Sequence, residues 1–236
     1  MHVDARSILD PLAIVERERQ RRSADAGLAA AVVQLKAYQR DRFARTYADL
    51  LAAPRYSAAA RFFLDELYGP QDFSQRDAQF ARVVPALVRL FPPEILTTVQ
   101  TLARLHALSE SLDSRMAEAV VGQTVNRTTY IRAWHATGGP QEREQQISLT
   151  LAVGQALDRL TRKALLRHTL HLMRGPARAA GLGALQQFLE CGFDTFRAMG
   201  GADGFLSEIG ERERALAAAL FMPGAQDNPQ ALGQLP

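Results

Sequence analysis

Apolar residues return every three or four positions along almost the whole chain, and β-branched residues never alternate with polar ones for long. No Asn-Gly or Asp-Gly hairpin turn occurs, so the pattern predicts an all-α fold. A first short helix runs from about Ile8 or Pro11 through an Arg-rich segment. A second, from about Ala24 to Ala53, places Leu28, Val32, Leu35, Phe43, Tyr47 and Leu50 on one stripe, and Pro54 ends it. Ser57 is positioned to cap a third helix through Tyr68, which Gly69-Pro70 stops. Ser74-x-x-Asp77 has the form of a capping box with Asp in place of Glu, opening a helix that carries Phe80, Val84, Leu87 and Leu90 and is kinked at Pro85. Pro92-Pro93-Glu94 starts a long fifth helix ended by Gly122, because proline is preset for the first turn and glutamate suits the helix dipole there. Asn126 caps a short helix through Trp134. Pro140 opens a long one to about Met173, and Gly175-Pro176 separates that from a helix ending at Gly200-Gly201. A last helical pair covers Ala202 to Phe221, with a break near Gly210.

These elements make one bundle-like domain of about eight to ten helices over residues 1–222, with residues 1–23 as a peripheral N-terminal helix. The segment 223–236, rich in Gly, Pro, Gln and Asn, is expected to form a disordered tail. A chain of 236 residues can bury enough surface for a core without metal or disulfide staples.

Composition narrows the setting. Cys191 is the sole cysteine, so no internal disulfide can form and a reducing cytoplasm is the natural reading. The first residues include Asp4, Arg6 and Asp10 and lack the apolar stretch of a signal peptide. No run is long and apolar enough to span a bilayer. Only Lys36 and Lys163 of the 28 basic residues are lysines, a bias expected of a GC-rich bacterial genome. The net charge is only +3, and basic residues are scattered among acidic ones, which argues against a nucleic-acid partner. The densest run, Glu16 to Arg22, alternates in sign and reads as a solvated helix face, with Glu18 spaced to pair with Arg22.

The fifth helix carries the candidate chemistry. With Ile95 set at zero and about 100° per residue, Val99, Leu102, Met116 and Val120 fall within about 60° of it. His106, Ser109 and Asp113 fall in the same sector. Polar groups in an apolar stripe must meet partners, since burying each unpaired costs roughly 1–3 kcal/mol. Either they line a ligand pocket, with His106 as a titrating acid/base group, or they form a satisfied network within the core. His168 and His171, three apart, can place two imidazoles on one metal, but no third ligand is marked by spacing. Asp65, Glu66, Asp72 and Asp77 form an acidic cluster able to bind a cation or act on a substrate. Each also has a local explanation: Arg61 is spaced to pair with Asp65, and Asp77 to cap its helix. The segment Gly175-Pro176-Ala177-Arg178-Ala179-Ala180-Gly181-Leu182-Gly183 lacks the ending of a phosphate loop and follows no strand.

Three stretches resemble a known kind of chain. They are Phe62-Phe63-Leu64-Asp65-Glu66-Leu67-Tyr68 with Asp72-Phe73 and Arg76-Asp77, then Leu105-His106-Ala107-Leu108 with Leu112-Asp113. The third is Leu172-Met173-Arg174-Gly175-Pro176-Ala177-Arg178 leading into Gln187-Phe188-Leu189. Together, over about residues 55–210, the chain resembles a family of uncharacterised, all-helical proteobacterial proteins, a domain of unknown function. The resemblance implies a bacterial, cytoplasmic, helical protein and transfers no catalytic residue.

Three functions follow as expectations. The first is a non-enzymatic binding or interaction protein that self-associates, as a homodimer or with another protein, through long amphipathic helix faces. The second is a small-molecule sensor with a pocket near His106; no cofactor is required, though haem on His106 is a version of it. The third is an enzyme using His106 or the Asp65/Glu66/Asp72 carboxylates.

Overall fold

The computed structural model describes residues 3–67, 71 and 73–236. Tyr68, Gly69, Pro70 and Asp72, named above for a helix stop and the acidic cluster, lie outside the described residues. Those described are helical throughout their regular structure, with no strand among them. The all-α class read from the apolar spacing is the observed one.

The chain begins with α1 (Arg6–Ser23), α2 (Ala26–Thr46), α3 (Ala48–Ala52) and α4 (Ser57–Phe62), the last running into a π-helical turn at Phe63–Leu67. Next come α5 (Ser74–Leu90), α6 (Pro93–Glu118), α7 (Arg127–Ala136) and α8 (Pro140–Thr161). Then follow α9 (Ala164–Leu172), α10 (Arg174–Ala179), α11 (Gly183–Ala198), α12 (Asp203–Phe221), a 3₁₀ turn at Ala225–Asp227 and α13 (Pro229–Gln234).

Local chemistry sets most boundaries. Asp25 caps α2 by accepting from the Leu28 amide at 3.0 Å. Asn126 and Thr129 cap α7 reciprocally, and Pro93 occupies the first turn of α6. Several boundaries differ from the expectations. Ser57 and Ser74 lie inside the first turns of α4 and α5, and the N-cap positions fall to Tyr56 and Phe73. The helix expected from Pro140 to Met173 is broken at Arg162-Lys163, whereas Gly175 and Pro176 fall within α10. A proline in the first turn of a helix sacrifices no intrahelical bond, so Pro176 does not interrupt that element. No break occurs near Gly210, because the residue serves packing: a Cβ there would sit 2.9 Å from Leu151 Cδ1 of α8. Its counterpart is Gly154 of α8, where a Cβ would lie 2.5 Å from Leu206 Cδ2 of α12. The two helices approach through these reciprocal notches.

Helix α6 runs through the middle, packed against α1, α2, α7 and α8, while α12 and α11 lie against the other side of α8. Three apolar clusters surround this frame. One joins α2, α7 and the C-terminal half of α6 to the end of α12. A second joins α4 and the π-helical turn to α11 and the start of α12. The third joins α1 and α5 to the N-terminal half of α6. The stripe Leu28, Val32, Leu35, Phe43, Tyr47 and Leu50 is buried in the first two, each aliphatic or aromatic side chain contributing roughly 1.5–3 kcal/mol.

Two regions are more tightly integrated than their composition implied. Helix α1, expected at the periphery, lays Ile8, Leu12 and Val15 into the core along α6. The segment after residue 222, expected to be disordered, forms α13 against α2 and α12 and buries Ala225 and Leu235 in the first cluster. Ala225 and Leu235 anchor an otherwise polar stretch, which composition averages away.

Candidate functional site

The polar stripe of α6 opens onto a cavity of about 170 Å³ that touches all three apolar clusters. His106, Ser109 and Asp113 line it. So do Val99 and Leu102 earlier on the helix, and at 1.5 Å per residue Val99 and Asp113 stand about 21 Å apart along the axis. The cavity is therefore a trough. Its end beside the start of α6 is walled by Leu12, Phe80, Leu185, Phe188 and Leu189; its other end by Gln39, Tyr130, Trp134, Arg143, Gln146 and Glu213. The first end is mostly apolar, with the Arg76–Glu66 pair against Phe188, the other is polar, and His106 lies between them.

At the middle, His106 Nε2 lies 2.7 Å from Asp77 Oδ2 of α5, and Arg19 of α1 bonds the same oxygen. Burial alone would raise the Asp77 carboxyl, but the bond and charge of His106 and then Arg19 hold it down at about 2. Asp77 is thus the partner of His106 rather than a helix cap. Arg76 beside it pairs with Glu66 at 3.2 Å and spreads its guanidinium over Phe73 and Phe188, 4.0 and 4.3 Å from the ring centroids.

Further along α6, Lys36 of α2 donates to Glu110 at 2.6 Å, and Arg22 of α1 bonds Glu110 and also Ser114. Burial pushes the Glu110 carboxyl up, but Lys36 and Arg22 outweigh it and hold it well below the usual range. Arg19 and Arg22 therefore turn inward. The run that alternates in sign is not wholly a solvated face, and Glu18 pairs with Arg21 instead of Arg22. Asp113 accepts from Gln39 Nε2 at 3.0 Å and is pushed up by burial, with Lys36 opposing from 3.9 Å and the Glu110 charge adding to the rise.

The polar end is organised by α8. Arg143 Nη1 donates to Gln146 Oε1 at 3.2 Å, and Gln146 Nε2 donates to Ser109 Oγ at 2.9 Å. Arg143 is 3 % exposed and lies over the Trp134 ring, Cζ 3.9 Å from its centroid. Its Nη2 meets Met116 Sδ at 3.0 Å. Among the described residues no carboxylate lies within ion-pairing distance of this guanidinium. Burial lowers its pKa.

The other candidates separate. Asp65 pairs with Arg40 at 3.1 Å on a half-exposed surface rather than with Arg61, and it does not line the trough. Glu66 and Asp77 do line it, and Asp72 lies outside the described residues. His168 and His171 sit on α9, away from the cavity, with His168 exposed. Among the described residues no group of three or more His, Cys, Asp or Glu side chains is placed to hold a metal.

Arg143, Gln146, Trp134, Gln39 and Lys36 escaped the reading of the sequence because they reach the trough from other helices. Arg143 left one signal: it is the fourth residue of α8, at the end of the first turn, where the dipole disfavours a cation. Among the described residues no helix is long and apolar enough to cross a membrane. No curated protein and no solved structure matches the chain. A family model does match, over residues 18–227, and by that match the chain belongs to the family described as Domain of unknown function (DUF8198).

Proposed function

We propose that this chain is a small-molecule binding protein without catalysis of its own, holding an elongated, mostly apolar ligand in the trough along α6. One observation carries the reading: a cavity of about 170 Å³ that is mostly apolar at one end, polar at the other and passes His106 midway. Around Asp77 and Glu110 the charged lining is already paired, so those walls stand preformed.

The test is saturable binding of Nile red, an uncharged dye that brightens in apolar surroundings, to the full chain. Leu102→Trp, which fills the apolar end, is expected to abolish binding with the helical circular dichroism unchanged. His106→Leu is expected to shift affinity several-fold at constant fold. Non-saturable dye uptake that ignores Leu102→Trp would sink the reading.

A second reading, self-association, is supported by α9. None of its described side chains is buried, and Leu165 and Leu172 are 76 % and 64 % exposed on its outer side. The occupant we favour is a second copy, giving a homodimer. An enzymatic reading has less support: Ser109 Oγ bonds Gln146 rather than His106, and Asp65 lies apart from the trough. Haem stays an alternative occupant, with only Nδ1 of His106 left for iron, and a Soret band after haem addition is its test. The lone Cys191 and the arginine bias favour a bacterial cytoplasm as the setting.

A further inference from the structure

A buried guanidinium lining a pocket needs a counter-charge. Arg143 is 3 % exposed, and its contacts are a neutral amide, a thioether and the face of an indole. None of these carries a negative charge. The carboxylates nearby are committed elsewhere: Glu110 to Lys36 and Arg22, and Glu213 to Arg42 and the Tyr47 hydroxyl. Asp113 accepts from Gln39 and faces Lys36 at 3.9 Å, and Glu142 pairs with Arg115. Two donors at this end, Arg143 Nε and Trp134 Nε1, are buried without an acceptor. Unpaired buried donors are costly, and an unneutralised buried cation more so. This corner of the trough is therefore lined by a buried cation whose contacts are all uncharged, while the far end, some 20 Å away along α6, is walled by Phe80, Phe188 and leucines.

We infer that the ligand is an amphipathic carboxylic acid, its carboxylate seated on Arg143 and Trp134 and its hydrocarbon tail lying along α6 past His106 toward Phe188. This rests on the pocket reading above and adds the ligand's chemical class to it. A carboxylate suits the corner because a planar anion accepts two bonds from a guanidinium fork. The tail needs only apolar walls, which fix length and shape but not charge. Gln146, bridging Arg143 and Ser109, would then hold the guanidinium orientation as a positioning residue.

The chain carries its own reporter, since Trp134 is the sole tryptophan and stacks on Arg143. The experiment compares decanoate, its methyl ester and decanol, each read by Trp134 fluorescence and by displacement of Nile red, in the wild type, Arg143→Gln and Arg143→Lys. The expected result is that decanoate binds at least about tenfold more tightly than ester or alcohol. Arg143→Gln removes that preference while leaving ester and alcohol affinity within about twofold, and Arg143→Lys keeps part of it. Equal affinity of all three in the wild type, with dye binding intact, overturns the carboxylate and leaves the pocket. Absence of saturable dye binding overturns the pocket itself. Because a substitution at a buried site can unfold the chain, the ligand-free Arg143→Gln protein is also melted. Relief of an unpaired charge predicts an unfolding midpoint at or above that of the wild type, and decanoate is expected to raise only the wild-type midpoint. A large fall in the midpoint, with decanoate still bound in preference to its ester, assigns Arg143 to packing and overturns the inference.

Discussion

His106 and Asp77 close the contact between α6 and α5, with Nε2 and Oδ2 2.7 Å apart, and Arg19 reaches the same oxygen from α1. One carboxylate thus ties three helices, and it is held ionised at about 2 in the folded chain against an ordinary value of 3.8. A depressed carboxyl contributes stability above its unfolded value and loses it as pH falls through the folded one. Unfolding free energy is therefore expected to drop by roughly 2 kcal/mol between about pH 4 and pH 2 from this group alone. Asp77→Asn leaves Arg19 and His106 facing a neutral amide and is expected to cost about 3 kcal/mol at pH 7 while flattening the acid limb. Urea titrations from pH 2 to 7 check both parts; an unchanged acid limb in the variant would remove Asp77 from this role.

Asp113, two turns along the same helix from His106, carries the opposite sign. Burial raises its carboxyl, so the group favours the folded state below its unfolded value and loses that contribution as pH rises through the folded one. At pH 7 Asp113→Asn relieves this penalty and keeps an acceptor for Gln39. The unfolding midpoint is expected to rise or stay level, in contrast to the fall from Asp77→Asn. A loss above about 1 kcal/mol would mean that Asp113 is ionised and paired in the native state.

The two carboxylates also show what could be read from the sequence. Asp113 announced itself through its angular position, because the 3.6-residue period is a local property and α6 is straight enough to keep His106, Ser109 and Asp113 on one line. For Asp77 the Ser-x-x-Asp spacing offers a sufficient local explanation as a cap beside its place in the acidic cluster, and nothing within four residues reveals a histidine 29 positions later. The same limit hid Arg143 and Gln146, which meet Ser109 only because α8 folds back on α6. Periodicity predicts which face of a helix is inward; which side chains meet there depends on tertiary packing.

Gly154 and Gly210 set how closely α8 and α12 approach. At Gly154 a Cβ would sit 2.5 Å from Leu206 Cδ2, in a side chain only 4 % exposed that has little room to yield. At Gly210 the nearest atom is Leu151 Cδ1 at 2.9 Å, in a side chain that is only half-buried and freer to move. Alanine gains up to about 1 kcal/mol of helix propensity at either site, set against roughly 1–3 kcal/mol of overpacking. Gly154→Ala is expected to destabilise by about 1–2 kcal/mol and Gly210→Ala by less. Denaturation showing the reverse order would put the tight contact at the wrong notch.

The C-terminal segment is expected to act as part of the core. Leu235 is 0 % exposed and Ala225 2 %, and the Arg127 guanidinium donates to the Leu235 carbonyl at 3.3 Å. Truncation after Met222 removes these contacts and uncovers apolar surface on α2 and α12. The expected cost is about 2–3 kcal/mol in unfolding free energy, with the far-ultraviolet helical signal of the remaining chain retained. Equal stability of the truncated and full chains would show the segment to be dispensable.

Helix α9 is the place to test self-association. Leu165 and Leu172 lie seven residues apart, two turns along one side of the helix, and Met173 beside them is 47 % exposed. Apolar side chains so open to water add nothing to the fold of one copy, so replacing them should leave its stability within about 0.5 kcal/mol. Two copies meeting along this side would bury them, and a paired charge at each position would oppose that. Light scattering at micromolar concentration is expected to give a dimer for the wild type and a monomer for the double variant Leu165→Glu/Leu172→Glu. A wild-type monomer removes the dimer outright. A variant that remains dimeric moves the interface off α9, since two glutamates per copy would be too costly to bury against their own kind.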